Sequence, residues 1–214
     1  MSLLTDADDA PTLRLVDAPR EAAEDAVAHL LRALGRDLSD PNLADTPRRV
    51  AWALDEALRR DPIELTTFPN TEGYDELVLV RDIPFESLCA HHLLPFRGVA
   101  QVGYLPGDRL IGLSKLARVV THFAHDLQLQ ERLTSQIADF LQTSLDARGV
   151  GVVIDAEHLC MSIRGVRATG AQTRTSRFTG ALAAHGGVGF TDAAAHGGVG
   201  FADAHTRRPW PADD

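Results

Sequence analysis

Hydrophobic residues recur at helical spacing twice near the start of the chain. The segment from Pro19 to Gly35 carries apolar residues three or four positions apart and ends at a glycine, which predicts an amphipathic helix. A second helix is predicted to begin at Thr46, which can cap it, and Pro47, which suits the first turn. This helix is expected to end before Asp61-Pro62, so the first part of the chain should be helical.

From position 76 onward, the apolar residues form short runs that are typical of strands. Strands are expected at 77–80 and 99–104, two helices at 114–127 and 130–145, and two further strands at 150–164 and 173–182. The order favours an α+β fold, in which a helix pair covers one face of an antiparallel four-stranded sheet. Oligomerisation often covers the open edges of such a small sheet.

These patterns divide the chain into four segments. We expect a flexible acidic N-terminus at 1–18, a helical segment at 19–72, the α+β domain at 73–183 and a Gly/His-rich tail at 184–214. In the tail, the sequence HGGVGF begins at His185 and again at His196, a period of 11 residues that is too short for solenoid repeats. Its composition favours a flexible tandem duplication over metal capture by the tail histidines, which include His205.

Charge limits the classes of partner. The net charge of -9 should repel nucleic acid and anionic membranes, so a polyanionic ligand would need a local cluster of Arg and Lys. No apolar run approaches the ~20 residues of a membrane span. The N-terminus is acidic where a signal peptide would be basic. The protein is therefore expected to be soluble and cytoplasmic, with neither a nucleic-acid nor a membrane partner.

The two cysteines of the chain both lie close to histidines. The motif Cys89-Ala-His-His92 follows a predicted strand, and Cys and His at this spacing can hold one ion from a single turn. His158 and Cys160 are two residues apart on a predicted strand, so their side chains should face the same side. Arg164 joins that face if the strand is regular as far as this residue. These patterns together indicate a metal site.

The number of ligands decides what such a site can do. Two thiolates and one imidazole, from Cys89, His92 and Cys160, leave the fourth position of a zinc ion open to water, as in catalytic sites. If His91 or His158 supplied a fourth ligand, the site would be closed and structural. Both interpretations remain open at this point.

Polar residues stand at the starts of the two central helices. Ser114-Lys115 begins the first helix, Arg118 follows one turn later, and Gln130-Glu131 begins the second. Helix N-termini attract anions, and Lys115 and Arg118 occupy neighbouring positions on one face. Taken singly, each of these charged residues would be interpreted as a solvated surface residue.

The motifs as a set resemble GTP cyclohydrolase I. The match runs in order and at the family's spacing from Glu21 to Gly180. Its elements are the sequences CAHHLLPF (89–96), GLSKLAR (112–118), QLQERLT (128–134) and HLCMSIRG (158–165), with DTPRRV (45–50) similar to the family's N-terminal helix motif.

This resemblance implies a fold, an assembly and a reaction. The fold is the tunnelling fold, and the assembly is a homodecamer of two stacked pentamers with active sites where subunits meet. The reaction converts GTP and water to 7,8-dihydroneopterin triphosphate and formate, the first step toward folate in bacteria and tetrahydrobiopterin in animals.

The resemblance also implies a role for each matched residue. A zinc ion would make water nucleophilic near neutral pH for attack on C8 of the guanine ring. The implied roles are zinc ligation by Cys89, His92 and Cys160; proton handling by His91 and His158; contact near the ribose by Ser114; guanine binding by Glu131 with the adjacent Gln130; and triphosphate binding by Lys115, Arg118, Arg164 and Arg49.

The sequence departs from the family pattern in three places. Ala90 stands where the family usually has Glu, His125-Asp126 replaces a stretch that is commonly Arg-Pro, and the repeat from His185 replaces the usual C-terminal segment. The alternative is a non-catalytic nucleotide-binding homologue with a structural zinc ion. GTP cyclohydrolase II is disfavoured because that family uses three clustered cysteines, whereas this chain has two that are far apart.

Overall fold

A computed structural model of the chain describes residues 20–184, 186–187 and 189–190. The chain forms two compact units, divided between Arg59 and Arg60. The sequence-based boundary lay later, at residue 72. The segment 60–72 belongs to the second unit because its strand Thr67–Pro69 pairs with a strand of that unit. The predicted flexible segment 1–18 lies outside the described residues.

The first unit contains the two predicted helices, α1 (Arg20–Ala33) and α2 (Thr46–Leu58). Gly35 follows α1 with a φ of 73°, the left-handed conformation that glycine adopts at helix ends. The prediction that Thr46 caps α2 is wrong, because Thr46 is already helical and Asp45 occupies the cap position without a side-chain hydrogen bond.

The second unit is built on a five-stranded sheet with the order β5-β2-β3-β6-β7, antiparallel except for the short parallel contact of β5 with β2. A separate two-stranded sheet joins β1 and β4. This arrangement confirms the predicted four-stranded antiparallel sheet with its helix pair, to which β5 is added. The elements are β1 (Thr67–Pro69), β2 (Val78–Cys89), β3 (Pro95–Leu105), β4 (Arg109–Ile111), α3 (Leu113–Ala124), β5 (Leu127–Gln128), α4 (Gln130–Leu145), β6 (Gly149–His158), α5 (Leu159–Ser162), β7 (Thr173–Phe178) and α6 (Gly180–Ala184).

The two last strands are shorter than predicted. β6 ends at His158, which pairs with Phe96 next to the first residue of β3, so no strand of the described residues continues beside the chain beyond His158 on that side. It forms the helical turn α5 instead. The prediction of a regular strand to Arg164 is therefore wrong, and so is the prediction that His158 and Cys160 share one strand face. β7 likewise ends at Phe178, before α6.

A bulge in β2 sets which of its residues face the helices. Val80 pairs with Val102 and Ile83 with Ala100, so β2 has one residue more than β3 between these pairs. Asp82 in the bulge has a φ of 57°. The inward positions are therefore even-numbered before the bulge and odd-numbered after it. This shift brings Cys89 to the helix-covered face, where it is buried in the main core.

A smaller hydrophobic cluster lies on the opposite face of the sheet. Val153 points there because its neighbours in β6, Val152 and Ile154, point into the main core. Phe190, from the first copy of the tail repeat, packs in this cluster with its ring centroid 5.3 Å from that of Phe178. Phe190 is thus packed against the sheet, although it lies in the segment that was expected to be flexible. The second copy of the repeat lies outside the described residues, and flexibility there stays a prediction.

None of the helices in the described residues is both long enough and apolar enough to cross a bilayer.

Candidate active site

The candidate site lies at one end of the sheet, where three strands have a terminus, and on the face that the helices cover. β2 ends at Cys89, β3 begins at Pro95 and β6 ends at His158. The N-terminus of α4 reaches the same place, because the side chain of its first residue, Gln130, contacts His158. The sheet thus brings chemically active residues that are 71 positions apart, Cys89 and Cys160, to one site.

A tight turn connects β2 to β3 and carries the two adjacent histidines. The Cys89 N–H donates to the Leu94 carbonyl at 2.9 Å, and the Leu93 N–H donates to the Cys89 carbonyl at 2.9 Å. Leu93 takes a positive φ of 55°, which folds the turn back on itself. As a result, Nδ1 of His91 lies 3.9 Å and Nδ1 of His92 lies 4.0 Å from the Cys89 Sγ.

Cys160 reaches the same point from α5, with its Sγ 4.0 Å from that of Cys89. The ligand atoms of Cys89, His92 and Cys160 all lie within 4.8 Å of one another, whereas His91 is not part of this group. In tetrahedral zinc coordination two thiolate sulfurs are about 3.8 Å apart, and a sulfur and an imidazole nitrogen about 3.5 Å. The three side chains therefore fit one metal ion after small side-chain adjustments.

The thiols of this cluster influence each other. Burial raises the pKa of the Cys160 thiol, and the neighbouring Cys89 raises it further, while the positive charge of Arg164 opposes both effects. Two thiolates side by side repel each other, and a divalent cation between them removes that repulsion. The arrangement thus favours a cation over two free thiolates.

His158 stands beside the cluster with its ring held on two sides. Its ring stacks on Phe96, with centroids 4.6 Å apart and an interplanar angle of 2°. Its Nε2 lies 2.7 Å from Oε1 of Gln130. Burial lowers the pKa of the His158 imidazole, and the negative charge of the nearby Glu131 partly offsets this effect. His158 is therefore a partly buried imidazole next to the candidate metal site, with an exposed carboxylate close by.

The basic residues of α3 lie in a different place. Lys115 and Arg118 line a cavity of about 390 Å³ together with the segment Asp61–Glu64 and the histidines His122 and His125. None of the three side chains that could hold a metal ion lines this cavity. Ser114 is exposed at the start of α3. The described residues that line this cavity thus include Lys115 and Arg118 but not the Cys89, His92 and Cys160 cluster.

The remaining predicted residues lie at the surface. Arg164 is exposed in the loop after α5, near enough to Cys160 to affect its thiol. Arg49 is exposed on α2 in the other unit, where it pairs with Asp45 at 3.3 Å. Sequence reasoning missed Phe96, which appeared only as the last letter of a motif. Its stacking on His158 could not be predicted from periodicity or spacing, because the two residues lie on different strands that are far apart in the sequence.

Asp126, one of the residues that depart from the family pattern, has a structural role. Its carboxylate pairs with Arg60 and accepts a hydrogen bond of 2.7 Å from the Leu127 N–H. Both contacts lie at the end of α3, in the segment that leads to β5.

Comparison with known proteins agrees with this geometry. The sequence is similar to the GTP cyclohydrolase 1 of Mycolicibacterium gilvum, with 53% identity over 79% of this chain and 86% of the relative. It is also similar to the GTP cyclohydrolase 1 of Allorhizobium ampelinum, with 52% identity over 75% of this chain and 83% of the relative. The sequence model that describes GTP cyclohydrolase I matches residues 23–188, so the chain belongs to the GTP cyclohydrolase I family.

Proposed function

We propose that this protein is a GTP cyclohydrolase I, which hydrolyses and rearranges GTP to 7,8-dihydroneopterin triphosphate and formate. The observation that carries the proposal is the convergence of Cys89, His92 and Cys160 on one point beside His158, in a chain of this family. The reaction would supply the pterin for folate synthesis.

The metal is proposed to be zinc, held by the same three side chains. Two thiolates and one imidazole suit zinc, and three protein ligands leave one position free, as in catalytic zinc sites. Zinc bound here would supply a Lewis acid that makes water nucleophilic near neutral pH. His92 is exposed and Cys160 partly exposed, so the site is open to a substrate.

The two other histidines are proposed to move protons. Opening of the imidazole ring of guanine requires proton transfer to the departing ring nitrogen, and an imidazole near neutrality is suited to that exchange. Burial keeps His158 neutral over a wider pH range than a free imidazole, which supports a role as proton acceptor. His91 is exposed beside the cluster and free to contact substrate.

Glu131 is proposed to bind the guanine base. A carboxylate can accept two hydrogen bonds from the N1–H and 2-amino groups of guanine, and adenine lacks this pair of donors. Glu131 is exposed at the N-terminus of α4, close enough to His158 to influence its pKa. The base and the proton-handling residue would therefore lie side by side.

The triphosphate is proposed to bind Lys115, Arg118, Arg164 and Arg49, with Ser114 near the ribose. Lys115 and Arg118 line a cavity that contains no metal-binding residue. We therefore propose a homo-oligomer, in which one subunit contributes Lys115 and Arg118 to the active site and a neighbouring subunit contributes the three proposed metal ligands. The homodecamer is the form that family resemblance implies.

The edges of the sheet support the same proposal. Among the described residues, β7 has a neighbour on one side only, and β5 covers just Leu88 and Cys89 of the outer edge of β2. Exposed edges of this kind are protected when sheets of neighbouring subunits join. We also propose a cytoplasmic location, with neither a nucleic-acid nor a membrane partner, consistent with the acidic net charge.

The test is an assay of the zinc-loaded protein with GTP that measures formate and the fluorescent pterin product. A Cys160→Ser variant is measured beside the wild type, and we expect it to lose both bound zinc and turnover. Absence of product from the wild type, under conditions where a known relative is active, would contradict the proposal and favour the non-catalytic homologue with structural zinc. Turnover that depends on His91 would exclude that alternative.

A further inference from the structure

Gln130 is a buried polar side chain with all of its hydrogen-bonding groups occupied. Its side chain is 2% exposed. Its Nε2 donates to the Ile154 carbonyl at 3.0 Å and to the Thr173 carbonyl at 2.9 Å. Both amide protons are therefore used on backbone acceptors, and the amide cannot be turned around, because its oxygen would then face two carbonyl oxygens.

This fixed orientation decides the protonation pattern of His158. Oε1 of Gln130 is the atom that faces Nε2 of His158 at 2.7 Å, and an amide oxygen can only accept. Nε2 of His158 must therefore carry a hydrogen, and in the neutral imidazole Nδ1 is the nitrogen with the free lone pair. The stacking of His158 on Phe96 fixes the plane of the same ring.

We infer that Gln130 is a positioning residue, which holds His158 in the Nε2–H tautomer and leaves Nδ1 free for proton exchange with the substrate. The part of the inference that gives this tautomer a role in turnover rests on the proposed function. The assignment of the tautomer rests only on the hydrogen bonds of Gln130. Gln130 was assigned to substrate binding from sequence. Because its amide is fully hydrogen-bonded to two backbone carbonyls and to His158, Gln130 is expected to act by orienting His158 rather than by contacting the substrate.

The surroundings of Gln130 explain why a glutamine is needed there. A glutamate cannot donate to the two backbone carbonyls, and an asparagine is one methylene too short to reach the same three partners. The backbone of Gln130 is also held, because the Thr134 hydroxyl bonds its carbonyl at 2.7 Å. That hydroxyl in turn lies 2.6 Å from the hydroxyl of Thr175 in β7. The side chain is thus supported by α4, β6 and β7 together.

The chain offers a matched control in Gln128. Its side chain is 1% exposed and makes three hydrogen bonds, to the Phe123 carbonyl, to Gln136 and from Arg132. None of these partners is His158. Replacement of Gln128 or Gln130 by Met removes the same number of hydrogen bonds at the same burial. The pair of variants therefore separates loss of stability from loss of positioning.

The experiment compares Gln130→Met and Gln128→Met in the full, zinc-loaded protein. We expect both to lower the unfolding midpoint and both to keep the wild-type zinc content. General acid–base groups contribute ~100- to 10,000-fold to a rate, so we expect kcat of Gln130→Met to fall by ~10- to 100-fold. Its KM for GTP should stay within about threefold, because substrate binding is not removed. Gln128→Met should keep kcat within about threefold of the wild type.

Three kinetic outcomes would overturn the inference. They are an increase of KM with unchanged kcat in Gln130→Met, an equal fall of kcat in both variants, and no change in either. If Gln130→Met does not fold, Gln130→Leu and Gln130→Asn are measured at low temperature beside the corresponding Gln128 variants. The same three kinetic outcomes would then overturn the inference.

A spectroscopic measurement separates this inference from the proposed function. Solid-state nitrogen NMR of histidine-labelled protein at about pH 8.5, where free imidazoles are neutral, distinguishes the two tautomers. The signal of His158 is identified by its loss in His158→Asn. We expect the Nε2–H form in the wild type and a mixture of forms in Gln130→Met. An Nδ1–H form in the wild type would overturn the inference whether or not the protein turns over GTP.

Discussion

His91 and His92 offer a sharp test of the metal site because they are adjacent and chemically identical. Both are exposed, and their Nδ1 atoms lie 3.9 and 4.0 Å from the Cys89 Sγ, so distance to this cysteine does not separate them. Only His92 also lies within 4.8 Å of both cysteine sulfurs. We therefore predict that His92→Ala loses the metal, whereas His91→Ala keeps it.

The size of the effect follows from the number of ligands. Structural zinc sites with four ligands bind with about 10–16 kcal/mol, or about 2.5–4 kcal/mol for each ligand. Loss of His92 should then weaken zinc binding by ~100- to 1,000-fold, because each 1.4 kcal/mol is about tenfold. Both histidine side chains are exposed, so neither substitution should change the stability of the metal-free fold by more than about 0.5 kcal/mol.

The assay is a competition titration with a chromophoric zinc chelator, supported by metal analysis of the purified variants. His91→Ala should bind zinc within about threefold of the wild type, while its turnover falls by ~100-fold or more, as expected for loss of a proton-transfer group. If His91→Ala loses zinc as strongly as His92→Ala, the proposed ligand set is refuted and His91 is a fourth ligand of a closed site.

Three further predictions concern the fold that supports the site. Tyr104→Phe should lower the free energy of unfolding by about 1–2 kcal/mol, because the Ile111 N–H loses its acceptor. Burial raises the pKa of the Tyr104 phenol, so the wild type should keep this stability below about pH 10 and lose it as the pH rises further. Urea unfolding across this range should show a smaller alkaline loss in the variant, and an equal loss would contradict the reasoning. Gly98→Ala should fail to yield folded protein, since a Cβ would lie 1.8 Å from the Asp155 carbonyl oxygen; a folded variant with near-native stability would contradict this. Phe190→Ala should cost about 1–3 kcal/mol in urea unfolding, less than the ~3–5 kcal/mol of a core Phe, because this segment can detach rather than leave a cavity; a larger loss would contradict this.

Local patterns in the sequence were sufficient for much of the fold. The helix predicted at 130–145 has these bounds in the structure, because its apolar residues repeat at helical spacing. The cysteine and histidine motifs indicated the metal-binding group, since thiolate and imidazole are the side chains that bind zinc. The sequence motifs pointed to His92 as a ligand and left His91 open as a fourth one, and family resemblance gave His91 a different role.

Tertiary structure decided what local patterns could not. β6 was predicted too long because its apolar residues continue, but a strand also needs a partner, and within the described residues β3 ends at Pro95, beside the Phe96–His158 pair. The bulge at Asp82 brings Cys89 to the helix-covered face, and only the pairing register of β2 with β3 reveals it. The structure also places Lys115 and Arg118 in the lining of a cavity to which Cys89, His92 and Cys160 do not contribute.

The sequence by itself thus determined the four long helices of the described residues, the fold class and the identity of the side chains that can bind metal. These properties depend on residues close together in the chain and on the chemistry of single side chains. Only the tertiary structure decided which nitrogen of His158 carries hydrogen, because that depends on Gln130 and on two backbone carbonyls from different strands. The tautomer of His158 thus depends on contacts between segments that are distant in the sequence, and local sequence patterns do not predict such contacts.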